Sequence, residues 1–163
     1  MTLGLTLYRM FSRLVALFLG RILSRRVKKG KEDPARLHER RARKLPERPE
    51  GRLVWLHGAS VGESLILLEL GKRLQGEVPD VQLLFTSQTE TSAKLVAENL
   101  PERAFHQMSP IDTVGGAERF IRHWQPTLGI FAEGEIWPNL LLRAKKKGVH
   151  LALVNARMTD KSL

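Results

Sequence analysis

Two acidic turns hold the side chains best suited to chemistry in this sequence. In the first, His57-Gly58-Ala59-Ser60-Val61-Gly62-Glu63 follows the apolar run Leu53-Val54-Trp55-Leu56 and precedes a helical pattern over residues 64–74. In the second, Glu133-Gly134-Glu135-Ile136-Trp137-Pro138-Asn139 follows an apolar run over residues 128–132. A carboxylate at such a turn can act as a general base, and a second carboxylate nearby raises the pKa of one of the pair. Each acid also has a purely structural reading. Ser60 and Glu63 fit the capping box, in which the serine side chain takes a backbone N–H and the glutamate reaches back to the cap. Glu133 and Glu135 would be favoured by the helix dipole wherever a helix begins after them. The glycines match neither the dinucleotide nor the P-loop spacing, so a phosphate loop is not supported. The sequence has no cysteine, and its histidines at 38, 57, 106, 123 and 150 lack ligand spacing, so no metal site and no cofactor are expected.

These turns need a scaffold, and the remaining pattern supplies one. Strand-like runs at 53–56, 81–85, 104–108, 128–132 and 150–154 alternate with helical patterns at 64–74, 92–99, 113–124 and from Pro138 onward. Thr89 or Thr91 is placed to cap the second helix, and Asp112 to cap the third. Lys145, Lys146, Lys147 and Gly148 close the fourth with cations and a glycine stop. Such alternation predicts an α/β fold with a Rossmann-like parallel sheet covered on both faces. Doubly wound sheets commonly reverse their order between strands one and four, which would place the turns bearing Glu63 and Glu133 on one crevice.

The 163 residues carry a formal charge of +10, and its distribution is uneven. Residues 1–52 hold 15 Lys and Arg against 5 Asp and Glu, whereas residues 53–163 hold 12 of each kind. Three regions follow: a basic amphipathic segment at 1–31, a charged helix and linker at 32–52, and the α/β domain at 53–163. Within residues 2–23 the charge-free runs reach only seven residues, against about 20 for a membrane-spanning helix. Thr2, Thr6, Arg9, Arg13, Ala16 and Gly20 instead form one polar or small stripe, as in a helix lying in the plane of a membrane surface. Arg21, Arg25, Arg26, Lys28, Lys29 and Lys31 would attract an anionic leaflet. The leucine-rich character of this arm argues against nucleic acid as the partner. The region 32–52, with Pro34, Pro46 and Pro49, reads as a short helix at 35–44 followed by a solvated connector.

Four ordered motifs together resemble one family. Trp55 to Glu63, Pro110-Ile111-Asp112, Glu133 to Asn139, and Asn155-Ala156-Arg157-Met158-Thr159-Asp160-Lys161-Ser162 are similar to the motifs of 3-deoxy-D-manno-octulosonic acid (Kdo) transferases. The resemblance implies the N-terminal domain of a GT-B glycosyltransferase, preceded by an amphipathic membrane-anchoring helix at the cytoplasmic face of the inner membrane. It implies an inverting transfer of Kdo from CMP-Kdo to the lipid A precursor in lipopolysaccharide biosynthesis, with the donor held by a C-terminal domain beyond Leu163. Glu63 falls on the family's general base and Glu133 on its transition-state stabiliser. Ser60, Gly62, Glu135, Asn155 and Arg157 are the expected substrate-binding positions. Gly134, Thr159 and Lys161 depart from the family's commoner residues. A noncatalytic lipid-binding module of the same fold, at an anionic membrane surface, is the alternative.

Overall fold

The computed structural model describes residues 3–132 and 137–155. Five parallel strands form one sheet: β1 (Leu53–Gly58), β2 (Gln82–Ser87), β3 (Ala104–Met108), β4 (Leu128–Ala132) and β5 (His150–Val154), in the order β3-β2-β1-β4-β5. The connecting helices are α3 (Val61–Glu77), α4 (Glu90–Glu98), α5 (Val114–Trp124) and α6 (Pro138–Lys146); α1 (Leu3–Lys28) and the single turn α2 (Leu37–Arg40) precede the sheet. All six residues of β1 are buried, as required of a strand with neighbours on both edges and helices on both faces.

Period-two alternation divides the core. Leu53, Trp55, Leu84 and Phe131 pack with Phe120, Ile121, Trp124 and Leu140 of α5 and α6 on one face. Val54, Leu56, Leu83, Phe85 and Ile130 pack with Leu67, Leu68 and Val96 of α3 and α4 on the other. Gly71 lets α3 approach this second face closely, since a β-carbon there would lie 2.8 Å from Phe85 Cζ. At the edge strand β5, Leu151 and Leu153 stay exposed.

The caps differ from expectation at one position. Ser60, Thr89 and Thr113 each accept a backbone N–H at the start of α3, α4 and α5, so Thr113 and not Asp112 caps α5. Asp112 instead holds the start of α6: its carboxylate accepts from the backbone N–H groups of Asn139 at 3.0 Å and Leu140 at 2.8 Å. Trp137, the N-cap of α6, makes no side-chain cap bond, and Asp112 supplies one from across the fold. Tyr8 of α1 donates to the same carboxylate at 2.8 Å, and the Asn139 amide donates to Ser12 at 3.1 Å.

Helix α1 is therefore docked on the domain through Tyr8, Ser12, Leu19 and Leu23. Its other side exposes Leu3, Leu7, Met10, Phe11, Leu14, Leu17 and Phe18. By length and composition alone it is apolar enough to cross a bilayer.

Residues 32–45, expected as a short helix at 35–44 at the start of a solvated region 32–52, are packed against the domain. The helical part is only a 3-10 turn at Pro34–Arg36 and α2. Arg40 is 1% exposed and pairs through Nε with Glu32 at 2.8 Å, while Glu32 also pairs with Arg26 at 2.8 Å. The two terminal guanidinium nitrogens donate to the Ser109 carbonyl at 2.9 Å and to the Gln88 side chain and carbonyl. The charge is buried because each of its three nitrogens finds an oxygen, which sequence spacing cannot reveal. Replacing Arg40 with Met would leave the buried Glu32 carboxylate with Arg26 alone and should destabilise by about 3–5 kcal/mol, with much of this recovered in the double variant Glu32→Gln/Arg40→Met; denaturant unfolding measures both.

Two histidines stitch strands together as neutral rings. His57 is fully enclosed and its pKa is lowered to about 4, first by burial and then by the charge of Arg40. His106 bridges Ser87 at 2.7 Å and Arg36 at 2.9 Å, and its pKa is lowered to about 3, first by burial and then by Arg36. Unfolding restores both to about 6.5. The unfolded chain then binds more protons than the folded one below that value, so this contribution is complete above about pH 6.5 and is lost as pH falls toward 4 for His57 and toward 3 for His106. Thermal melts should show a falling midpoint over that window. His106→Asn should lower the midpoint at neutral pH and flatten the acid slope.

Candidate functional site

The order of the sheet makes β1 and β4 neighbours, with β2 on the far side of β1. The chain leaves β1 toward one side and enters β4 from the other, so the crevice beyond their carboxyl ends is the switch point at which ligands bind in open α/β sheets. Helix α3 starts at that crevice. Gly58 ends β1 and lets the chain turn tightly into it, because a β-carbon there would lie 3.1 Å from both Glu63 Cβ and Leu67 Cδ1.

Glu63 is held by both carboxylate oxygens. The Ala59 backbone N–H donates to Oε2 at 2.8 Å, and the Ser60 hydroxyl donates to Oε1 at 2.7 Å. Ser60 Oγ in turn lies 3.3 Å from the Glu63 N–H that it accepts from. The structural reading of the SxxE pattern is thus realised, with one change: the glutamate takes the N–H of Ala59, just before the cap, and the hydroxyl of the cap itself. A carboxylate offers about four lone-pair sites, so two remain beyond these bonds. Glu63 is 8% exposed beneath Ser60 and Gly62, both exposed, and open space surrounds the position where a Gly62 side chain would begin. The capping bonds fix the carboxylate without using it up.

The neighbouring turn is tied to this one. Thr89 and Ser92 share a hydrogen bond of 2.8 Å at the start of α4, and buried Ser92 donates to the Ala59 carbonyl at 3.4 Å. Beneath the turn, Trp55 Nε1 donates to Thr86 Oγ1 at 2.8 Å, and Thr86 Oγ1 lies 2.8 Å from His57 Nδ1. Trp55 can only donate, so the pairing that uses the hydroxyl hydrogen has Thr86 donate to Nδ1, which leaves the ring proton on Nε2. That buried Nε2 has no hydrogen-bond partner among the described residues. Trp55, His57 and Thr86 are contributions that motif reasoning passed over. The signal for the first two was their i, i+2 spacing on one strand face, whereas Thr86 was legible only through the parallel register that pairs it with His57.

Of the other expected site residues, Asn155 follows β5 at the same end of the sheet, with φ at 55°. It stands two strands from β1, about 10 Å in strand spacing. Glu133, Glu135 and Arg157 lie outside the described residues; β4 ends at Ala132, immediately before Glu133 in sequence. Among the described residues no group of His, Asp or Glu is arranged to hold a metal ion.

Comparison with known proteins identifies the family. The family model described as 3-deoxy-D-manno-octulosonic-acid transferase (kdotransferase), an N-terminal glycosyltransferase region, matches residues 35–163. The 3-deoxy-D-manno-octulosonic acid transferase of Rickettsia bellii is 45% identical over 133 residues, covering 82% of this chain and 32% of that protein. The probable mitochondrial 3-deoxy-D-manno-octulosonic acid transferase of Arabidopsis thaliana is 33% identical across 99% of this chain and 37% of its own length. The Haemophilus influenzae transferase is 33% identical over 70% of this chain and 26% of its own. The chain thus spans roughly a third or less of the curated relatives it matches. No solved structure matches. On the family model over residues 35–163 and these identities, the chain belongs to the 3-deoxy-D-manno-octulosonic-acid transferase family.

Proposed function

We propose that this chain is the acceptor-binding part of a glycosyltransferase that moves Kdo from CMP-Kdo to the lipid A precursor in lipopolysaccharide biosynthesis. The observation that carries the reading is the Glu63 carboxylate, oriented by the Ala59 N–H and the Ser60 hydroxyl at the switch-point crevice. In this mechanism a hydroxyl of the acceptor attacks the anomeric carbon of Kdo as the bond to CMP breaks. Glu63 takes the hydroxyl proton as the new bond forms, and a single displacement inverts the anomeric centre. General-base help of this kind contributes about 10² to 10⁴ in rate. Glu133 is assigned to stabilising the transition state, and Ser60, Gly62, Glu135, Asn155 and Arg157 to binding substrate. CMP-Kdo is assigned to a second, donor-binding domain outside residues 1–163. No metal or cofactor has a role.

The acceptor is a membrane lipid, and α1 fits that task. Its docked side is bonded to the domain while its outward side chains are apolar, which suits a helix lying along the cytoplasmic face of the inner membrane. The arginines at 9, 13 and 21 and the bonds of Tyr8 and Ser12 favour this in-plane placement over a span.

Glu63→Gln in the full-length enzyme should reduce transfer by at least about 10² while the circular dichroism spectrum and melting midpoint stay near wild type. Ser60→Ala should cost about 1 kcal/mol of stability through the cap and lower the rate less than Glu63→Gln does. Retained transfer by Glu63→Gln would remove it from the base role. Placing glutamate at exposed Leu14 and Leu17 should release the protein from vesicles in flotation assays without lowering its melting midpoint.

A further inference from the structure

Between α1 and α5 stands a cluster of cations that the sheet-end crevice does not use. Arg41, Arg43 and Lys44 come from the segment after α2, and Arg119 and Arg122 from α5. A cavity of about 290 Å³ lies among Ala16, Gly20, Arg41, Arg43, Gly115 and Arg119. A second, of about 590 Å³, shares Arg43 and Arg119 and adds Lys44 and Arg122. The guanidinium groups of Arg41 and Arg119 occupy the room left by glycines: a β-carbon at Gly20 would lie 3.3 Å from Arg41 Nη2, and one at Gly115 3.1 Å from Arg119 Nη1. Arg119 is oriented by donating twice to the Arg41 carbonyl, at 3.1 and 2.7 Å.

None of these five cations forms an ion pair with a carboxylate among the described residues. That sets them apart from Arg26, Arg36, Arg40, Arg73, Arg103 and Arg143, each of which does. Holding like charges together without an acid is unfavourable, and Arg119 registers the strain: its pKa is lowered by burial and by the charges of Arg43 and Arg122. A bound anion would relieve the repulsion. Location identifies which anion. The first cavity opens on the flank of α1 through Ala16 and Gly20, beside the outward face that exposes Leu14, Leu17 and Phe18. With those side chains in the acyl layer, the arginines stand at headgroup level.

We propose that this cluster is a headgroup site, in which Arg41, Arg43 and Arg119 bind the phosphate of an anionic membrane phospholipid with Lys44 and Arg122 beside them. The proposal rests on the reading of α1 as a membrane-surface helix and adds a second, folded point of attachment. Two attachments fix the rotation of the domain about α1, and hence the angle at which the crevice bearing Glu63 meets the bilayer.

Vesicle co-sedimentation of the full chain tests it, using phosphatidylcholine with and without phosphatidylglycerol. The combined variant Arg43→Gln/Lys44→Gln/Arg122→Gln replaces three exposed side chains and leaves the bonded Arg41 and Arg119 in place. Its control, Lys72→Gln/Lys94→Gln/Lys145→Gln, removes the same charge from exposed positions on α3, α4 and α6. The cluster variant should lose more than about tenfold in affinity for phosphatidylglycerol vesicles, with the control within about twofold of wild type. Equal losses in the two variants, or no loss in the cluster variant, would overturn the headgroup site while leaving the role of α1 standing. Failure of the wild type to bind the vesicles would overturn both. Inorganic phosphate supplies the last arm. If it raises the melting midpoint of wild type but not of the cluster variant, and vesicle binding is the same in both, the cluster takes a soluble anion and the lipid assignment is wrong.

Discussion

Everything in the domain hangs on a strand that has no free side. β1 is hydrogen-bonded to β2 and β4 along its edges and covered on both faces, so each of its residues must be satisfied inside the protein. The apolar residues meet this by packing, and Trp55 Nε1 and His57 Nδ1 share one hydroxyl, that of Thr86 on β2. A strand fixed in this way delivers the turn at its carboxyl end to one place, the crevice between β1 and β4. The Glu63 carboxylate is then locked by the turn's own N–H and hydroxyl. Capping leaves room for the proposed base role at this residue, since the bonds that satisfy the helix start also orient the acid.

A second polar system gathers the elements outside the sheet. Asp112 joins α1, the loop before α5 and the start of α6 through one carboxylate. Arg40 joins Glu32, Gln88 and Ser109, and so ties the end of α1 and the segment after it to the turns that follow β2 and β3. Both groups are buried, where an unmatched charge is costly, so each specifies a geometry as well as holding one. Helix α1 and the turn bearing Glu63 thereby belong to one packed body, so the orientation of the first fixes that of the second.

The order of elements was legible because each strand is a short apolar run and each helix carries its own start signal. β3, β4 and β5 lie where the runs at 104–108, 128–132 and 150–154 place them, and Thr89 caps α4 as one of two expected candidates. Helix α3 begins three residues before the expected pattern because Val61 and Gly62 belong to its first turn after the Ser60 cap. Asp112 was misassigned because adjacent Asp112 and Thr113 are both good caps in sequence, and only the packing of α6 decides between them. The Arg40 network was invisible for a related reason: a charged, proline-containing stretch looks solvated unless its partners, 48 and 69 residues away, are known. At the crevice, the Glu63 turn could be read from local spacing. The Trp55–Thr86–His57 bonds could not, since they depend on which strands pair.

The central claim is that the crevice at Ala59 to Glu63 receives the acceptor lipid, and hydrogen–deuterium exchange of this chain with each substrate tests it directly. A soluble acceptor analogue should slow exchange at residues 58–64 and 86–92, and CMP-Kdo alone should leave them unchanged. Protection of those residues by CMP-Kdo, or acceptor protection confined to other parts of the domain, would contradict the account.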